Sequence, residues 1–285
     1  MFTHSFKVNC LVVLLFTSFY GIFAQIDYET CDKNGIHFYE ELGCKPQMTG
    51  SQPCPDSYKC KDYIIPNGKC LFYGKELNNG DIADGSYCNK GFECRAEPNS
   101  KGTFENLLII DCFFGPNTDG CYNTGELRRC CQTEFCPTGP VYECQVGNTT
   151  YKEDQVFTPE GTCYNCICTP GFRGIYEEPY CIRRPCDMEL RSSTQLEKKC
   201  APVYYNDDAL CCPAEFLCAE DVTSTTLVTK APESKSQCTF GSNTYNIGDQ
   251  IQVVAKNQWS SNIQRTCECI VPPYLACENS FSIAN

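Results

Sequence analysis

Cys163-Tyr164-Asn165-Cys166-Ile167-Cys168, followed by Cys211-Cys212-Pro213-Ala214-Glu215-Phe216-Leu217-Cys218, frames the most complete cysteine pattern in the chain. Between Cys144 and Cys218 it comprises ten cysteines: Cys144, Cys163, Cys166, Cys168, Cys181, Cys186, Cys200, Cys211, Cys212 and Cys218. A shortened copy precedes it. Cys70, Cys88, Cys94 and Cys112 lie at offsets 0, 18, 24 and 42, against 0, 19, 24 and 42 for Cys144, Cys163, Cys168 and Cys186. Cys121 then matches Cys200, and Cys130-Cys131-Gln-Thr-Glu-Phe-Cys136 matches the late pair and its ending. Self-similarity of this kind means an array of small modules.

The flanks read as half-units. Cys238-Thr-Phe-Gly-Ser-Asn-Thr-Tyr-Asn-Ile-Gly-Asp249 echoes Cys70-Leu-Phe-Tyr-Gly-Lys-Glu-Leu-Asn-Asn-Gly-Asp81, and Cys267, Cys269 and Cys277 follow it. At the other end Cys31, Cys44, Cys54 and Cys60 form a second half alone, with Cys54-Pro-Asp-Ser-Tyr-Lys-Cys60 spaced like Cys212–Cys218. The expected organisation is therefore a half-module over 25–69, a degenerate repeat over 70–139, a complete repeat over 140–218, a Ser/Thr-rich extended linker over 219–237 and a half-module over 238–285.

Composition places the chain in its compartment. It has 285 residues, 27 of them Cys, with 23 basic and 35 acidic side chains. That cysteine density belongs to disulfide scaffolds. Residues 1–24 read as a secretory leader, with Lys7, the apolar run Cys10–Phe16 and the patch Phe19–Phe23 ending at Ala24. Its removal leaves 27 − 1 = 26 cysteines, an even number, and a net charge of −13. No later stretch is long and apolar enough to insert in a membrane, so a secreted, extracellular protein is expected, without cofactors. The acidic balance speaks against nucleic acid and anionic membranes.

The cluster Cys163–Cys168 and the ending Cys211–Cys218 together resemble the von Willebrand factor type C domain, the chordin-like cysteine-rich repeat. The resemblance implies a small disulfide-rich fold: tandem modules, each with short antiparallel β-sheets in its first half and irregular, disulfide-stapled chain in its second. Strand signals agree at Thr150–Phe157 and Gln250–Val254, hairpin turns are expected at Asn34-Gly35, Asn67-Gly68 and Asn79-Gly80, and no helical periodicity is evident.

Missing cysteines constrain the pairing, because an unpaired thiol in a secreted domain is reactive. The degenerate repeat lacks the third and fifth positions together, so Cys166 should bond Cys181. The C-terminal half keeps positions one, three, four and five, which pairs first with fourth: Cys144–Cys168, Cys70–Cys94 and Cys238–Cys269, with Cys267–Cys277 as third with fifth. Positions two and eight remain for Cys163–Cys211 and Cys88–Cys130. Parity leaves the last four positions open. There the resemblance implies sixth with ninth and seventh with tenth: Cys186–Cys212 and Cys200–Cys218, Cys112–Cys131 and Cys121–Cys136, Cys31–Cys54 and Cys44–Cys60. At 75 residues and fewer a hydrophobic core is marginal, and each bridge adds roughly 2–4 kcal/mol.

Chemistry-bearing residues are few. Only His4 and His37 are present, which excludes most His-based catalysis, and His37 reads as a surface residue without partners. Zinc on Cys163-x-x-Cys166-x-Cys168 would need thiolates that an oxidising compartment removes. The pairs Glu40-Glu41, Glu177-Glu178 and Asp207-Asp208 read as solvated charge. Arg128-Arg129 and Arg183-Arg184 precede Cys and Pro, a poor context for basic-site processing. Asn148-Thr-Thr150 is the single N-glycosylation sequon.

Leu107-Leu108-Ile109-Ile110-Asp-Cys-Phe113-Phe114 is the most apolar run after the leader. One reading is a central strand with a packed face; the other is an exposed ridge for a protein ligand. The corresponding stretch Phe172–Tyr180 is more polar, so the two repeats are not expected to share a ligand surface. Tandem repeats of the resembled family commonly bind growth factors of the bone morphogenetic protein and transforming growth factor β class, and an acidic chain suits a basic ligand. The resemblance thus implies a non-enzymatic extracellular binding protein. The alternatives are an arthropod-type secreted defence, salivary or venom protein, and a protease inhibitor.

Overall fold

The computed structural model describes residues 26–50, 52–112, 115–205, 209–256 and 262–278. The expected leader, the Asp207-Asp208 pair, Phe113 and Phe114 lie outside the described residues. The fold is disulfide-rich, built mostly of short antiparallel sheets with few helices. Each of the thirteen cysteine pairs named above is brought together, with Cα–Cα separations from 3.9 to 5.8 Å.

Three segments share one ladder. Cys70, Cys144 and Cys238 each lie opposite the residue seven positions on, Leu77, Tyr151 and Tyr245, in a hairpin closed by two residues. Those connections are Tyr73-Gly74, Gly147-Asn148 and Gly241-Ser242, and φ is positive at Tyr73, Gly74, Gly147 and Gly241. Positive φ suits the strand twist of a two-residue hairpin. Three positions beyond each hairpin pair the chain turns again with positive φ, at Gly80, Asp154 and Gly248. The amide of each donates to the carbonyl of the fourth cysteine: Gly80 to Cys94 at 2.8 Å, Asp154 to Cys168 at 2.7 Å, Gly248 to Cys269 at 2.8 Å. The next strand then enters in one register, Ile82 opposite Glu93, Val156 opposite Ile167 and Gln250 opposite Glu268.

The expected Asn-Gly hairpins are corrected here. Gly35 ends a short 3-10 turn (Asp32–Asn34), Gly68 precedes the Lys69–Phe72 strand, and Gly80 joins two strands of different sheets. All three glycines do take positive φ, but the hairpin tips lie elsewhere.

Second halves are more regular than expected. The residue after the seventh cysteine pairs with the residue before the tenth in all three: Lys45 with Lys59, Tyr122 with Phe135, Ala201 with Leu217. Helices also occur: α1 (Tyr28–Cys31), α2 (Ile36–Glu41) and α3 (Met188–Glu197). Helices α2 and α3 both fill the loop between the sixth and seventh cysteines. Helix α2 is too short to display a period, and Ser192 breaks α3 with non-helical angles, so neither leaves a periodic trace in the sequence.

The modules are not separate beads. One six-stranded sheet runs Glu215–Leu217, Ala201–Tyr204, Ala276–Glu278, Asn262–Glu268, Gln250–Lys256, Val222–Thr229. It joins the complete repeat to the C-terminal half through the parallel pair Val203 and Cys277, and Ala201, Val203 and Leu217 share a core with Ile251, Val253 and Leu275. The expected linker therefore contains a strand. Val222-Thr-Ser-Thr-Thr-Leu-Val-Thr229 is rich in β-branched residues, which favour a pleated ladder over a free linker. A second core packs Ile36, Phe38 and Tyr39 of α2 against Met188 and Leu196 of α3 and Val271 of the C-terminal half. Tyr39 Oη donates to the Val271 carbonyl and the Tyr58 amide to Pro272, so the N-terminal and C-terminal half-modules meet.

Helix α3 also anchors the degenerate repeat. Its N-cap Asp187 is buried, and the Ser86 amide and Asn89 Nδ2 each donate to Oδ2 at 2.8 Å. Leu190 enters the core of Cys70, Leu77, Ala83 and Phe92.

Candidate binding surface

The Thr103–Asn106 strand pairs with Phe92–Arg95, and there the ladder stops. Leu107 still donates its amide to the Gly91 carbonyl at 2.9 Å, and the Leu108 amide donates to Asn106 Oδ1 at 3.2 Å. A Cβ on Gly91 would lie 2.8 Å from Leu108 Cβ, so glycine is what lets the leucine close on the sheet. Beyond that edge the side chains face solvent: Leu107 is 53% exposed, Leu108 50% and Ile109 81%. Ile110 is half-buried. The central-strand reading is thus overturned, because Phe92–Arg95 ends before it can pair with Leu108–Ile110.

Three adjacent, exposed aliphatic residues form an apolar patch held at both ends. The sheet fixes one end, and Cys112, bonded to Cys131, fixes the other. Acidic groups border it: Glu105 is exposed and bonded to Arg95 at 2.6 Å, and Asp111 is exposed. In the complete repeat the corresponding stretch places Phe172 in the core, its ring 5.7 Å from that of Phe157, and leaves Ile175 exposed at 59%.

A second polar arrangement was not legible beforehand. Buried Asp32 binds Arg183 through both carboxylate oxygens, at 2.7 and 2.8 Å, and accepts the Cys163 amide at 2.6 Å. Arg183 Nη2 also donates to Glu40 Oε2 at 2.8 Å, and its guanidinium lies over the rings of Tyr28 and Tyr164 at 4.4 and 4.9 Å. Burial works to raise the Glu40 carboxyl, but His37 and Arg183 outweigh it and hold Glu40 below the usual range. Burial works to lower the Arg183 guanidinium, yet Asp32 and Glu40 leave it raised. Burial, with Glu40 beside it, pushes the Tyr28 hydroxyl up to about 12.

Two expectations fall with this cluster. His37 is buried at 3% exposure, donates Nε2 to the Arg184 carbonyl at 2.5 Å and sets Nδ1 4.0 Å from Glu40 Oε2. Glu40-Glu41 is not solvated charge, since Glu41 accepts the Cys186 amide at 3.0 and 3.2 Å. Glu177-Glu178 is exposed. Asn148 is exposed at the tip of the Glu143–Val146 hairpin.

A cleft of about 460 Å³ separates the degenerate and complete repeats, lined by Ser86, Tyr87, Arg128, Glu178, Ile182 and Pro185 among others. Arg128 and Glu178 bridge it at 2.6 Å. Three groups of close donor residues occur among the described residues: His37 with Cys186 and Cys212, Cys88 with Cys112 and Cys130, and Cys121 with Glu134 and Cys136. Every cysteine in them is committed to a disulfide, whose sulfur is not the thiolate a metal requires.

The chain defines itself by construction: a disulfide-rich array of repeated short ladders, one of which carries the exposed Leu107-Leu108-Ile109 patch. Thirteen disulfides fit an oxidising compartment, and among the described residues no helix is long and apolar enough to cross a membrane. Set against family models, curated proteins and solved structures, the chain has no match.

Proposed function

We propose that the chain is a secreted, non-enzymatic binding protein of the von Willebrand factor type C kind, and that it captures a basic extracellular protein ligand of the bone morphogenetic protein and transforming growth factor β class. The observation that carries this reading is the Leu107-Leu108-Ile109 patch, exposed on a stapled repeat and bordered by Glu105 and Asp111. Apolar area supplies binding energy and the acidic border favours a basic partner. A net charge of −13 after leader removal supports the same choice. The rigid mounting matters too, since a patch fixed before binding loses little entropy on contact.

Surface plasmon resonance against a panel of these growth factors tests it. Binding at micromolar affinity or better is expected, weakened at least about tenfold by Leu108→Asp together with Ile109→Asp. No binding across the panel, or binding indifferent to both substitutions, removes this reading.

A further inference from the structure

The two edges of the six-stranded sheet differ in kind. One is Glu215–Leu217, three residues long; the other is Val222–Thr229, eight residues without a charge or a proline. Proteins commonly protect sheet edges by keeping them short, or with charges, prolines or bulges, because an open edge templates further strand pairing; here the register irregularities leave only the middle of the strand open. Among the described residues no strand lies outside Val222–Thr229, and Thr223 to Thr229 are all exposed, Leu227 at 48% and Val228 at 59%. Register shifts between Val222 and Ser224 and between Leu227 and Thr229 leave Ser224–Leu227 as a regular stretch facing Val254–Ile251.

We propose that this edge pairs antiparallel with the same strand of a second copy, giving a dimer about a two-fold axis through Thr225. Charge selects that occupant. Glu220 and Asp221 precede the strand and Lys230 follows it. Antiparallel self-pairing lays the acidic end of each copy beside Lys230 of the other, whereas parallel pairing stacks acid on acid. A two-fold axis normal to the sheet pairs only residues that face the same side, so centring it on Thr225 sets Ser224 across from Thr226 within the regular stretch and brings the Ala219–Asp221 turn of one copy toward Lys230 of the other. Glu220 keeps Lys198 of its own chain at 2.7 Å, and Asp221 adds a second acid beside Lys230. A single strand pair buries little surface, so the dimer is weak and reversible, no tighter than about micromolar.

Sedimentation equilibrium of the full exported chain from about 1 to 200 μM tests this. Wild type should pass from monomer to dimer. Thr225→Lys sets like charges directly opposite, roughly 5 Å apart, and should leave only monomer. Lys230→Glu should raise the dissociation constant at least about fivefold, and Asp221→Lys added to Lys230→Glu should recover most of that loss. Circular dichroism and a zero free-thiol count establish that each variant is folded. A wild type that stays monomeric over the range, or a dimer unmoved by Thr225→Lys, overturns the proposal.

Discussion

Asp32 and Arg183 stand 151 positions apart and close a two-point ion pair at 2.7 and 2.8 Å, with the Asp32 side chain wholly buried. The pair fastens the N-terminal half to the complete repeat, next to the Cys163–Cys211 bridge. Removing Asp32 leaves Arg183 with Glu40 as its remaining acid and the buried Cys163 amide without its acceptor, at a cost of about 1–3 kcal/mol. Asp32→Ala should therefore lower unfolding stability by that amount in guanidinium titrations with disulfides intact. Arg128→Ala breaks an ion pair whose side chains are both mostly exposed, and should cost less than about 1 kcal/mol. Equal losses in the two variants would refute the assignment of Asp32 as a structural anchor.

Acid should weaken the same junction. Glu40 has a folded pKa below its ordinary value. Between those two values the unfolded chain binds more protons than the native one, so stability falls as pH falls through that window and is fully present above it. Unfolding free energy measured from about pH 6 downward should decline below the ordinary glutamate range, and Glu40→Gln should flatten that decline. A slope unchanged in Glu40→Gln would show that other carboxylates carry it.

Docking of the degenerate repeat depends on a close approach at Gly85. A Cβ there would lie 2.7 Å from Leu190 Cδ1 and 2.8 Å from the Asp187 carboxylate. The leucine tip can move, but Asp187 is held by the Ser86 amide and Asn89. Gly85→Ala should cost about 1–3 kcal/mol as an overpacking substitution. Hydrogen exchange should quicken at the Ser86 and Asn89 amides while the Cys144–Tyr151 ladder keeps its protection. Unaltered exchange at Ser86 would mean the interface tolerates the methyl group.

Asn148 sits exposed at a hairpin tip, with Thr150 Oγ1 donating to Gln145 Oε1 at 2.7 Å across the ladder. An oligosaccharyltransferase needs an accessible sequon in an exported chain, and this one is accessible. Glycosidase treatment of the exported protein should reduce its mass by one N-glycan, and Asn148→Gln should abolish the shift. An identical mass before and after treatment would leave the sequon unused.

What could be read from the chain alone follows a physical divide. Cysteine spacing encodes local closure: with a two-residue turn and a positive-φ turn at fixed offsets, Cys70, Cys144 and Cys238 can enter only one register with their fourth cysteines. Contacts between modules left no comparable trace. Asp32 and Arg183 carry no mark of their separation, and His37 looks like a lone surface residue until α2 turns it inward. Val222–Thr229 has the side chains of a strand but the Ser/Thr-rich composition of a linker, and composition misled. Leu107–Ile110 has the hydropathy of a strand, yet past the Leu107 bond to Gly91 no strand among the described residues pairs with it.

The two repeats contain their own experiment on the Cys166–Cys181 bridge. In the complete repeat it pins adjacent strands where Cys166 and Cys181 lie directly opposite. In the degenerate repeat the equivalent strands, Phe92–Arg95 and Thr103–Asn106, form the same antiparallel pair with no such bridge, and Phe92 and Cys94 remain buried beneath it. The ladder therefore does not require that bond. It closes a loop of 15 residues, for which the unfolded-chain entropy model assigns roughly 3 kcal/mol. Cys166→Ala with Cys181→Ala should fold, export and keep the remaining bridges, with stability reduced by about that amount. Cys181→Ala alone should do worse, because the freed Cys166 thiol can attack neighbouring disulfides such as Cys144–Cys168 during folding. Non-reducing peptide maps of both variants decide the matter: scrambled bridges in the double variant, or clean ones in the single, would contradict the view that these cysteines are dispensable only as a pair.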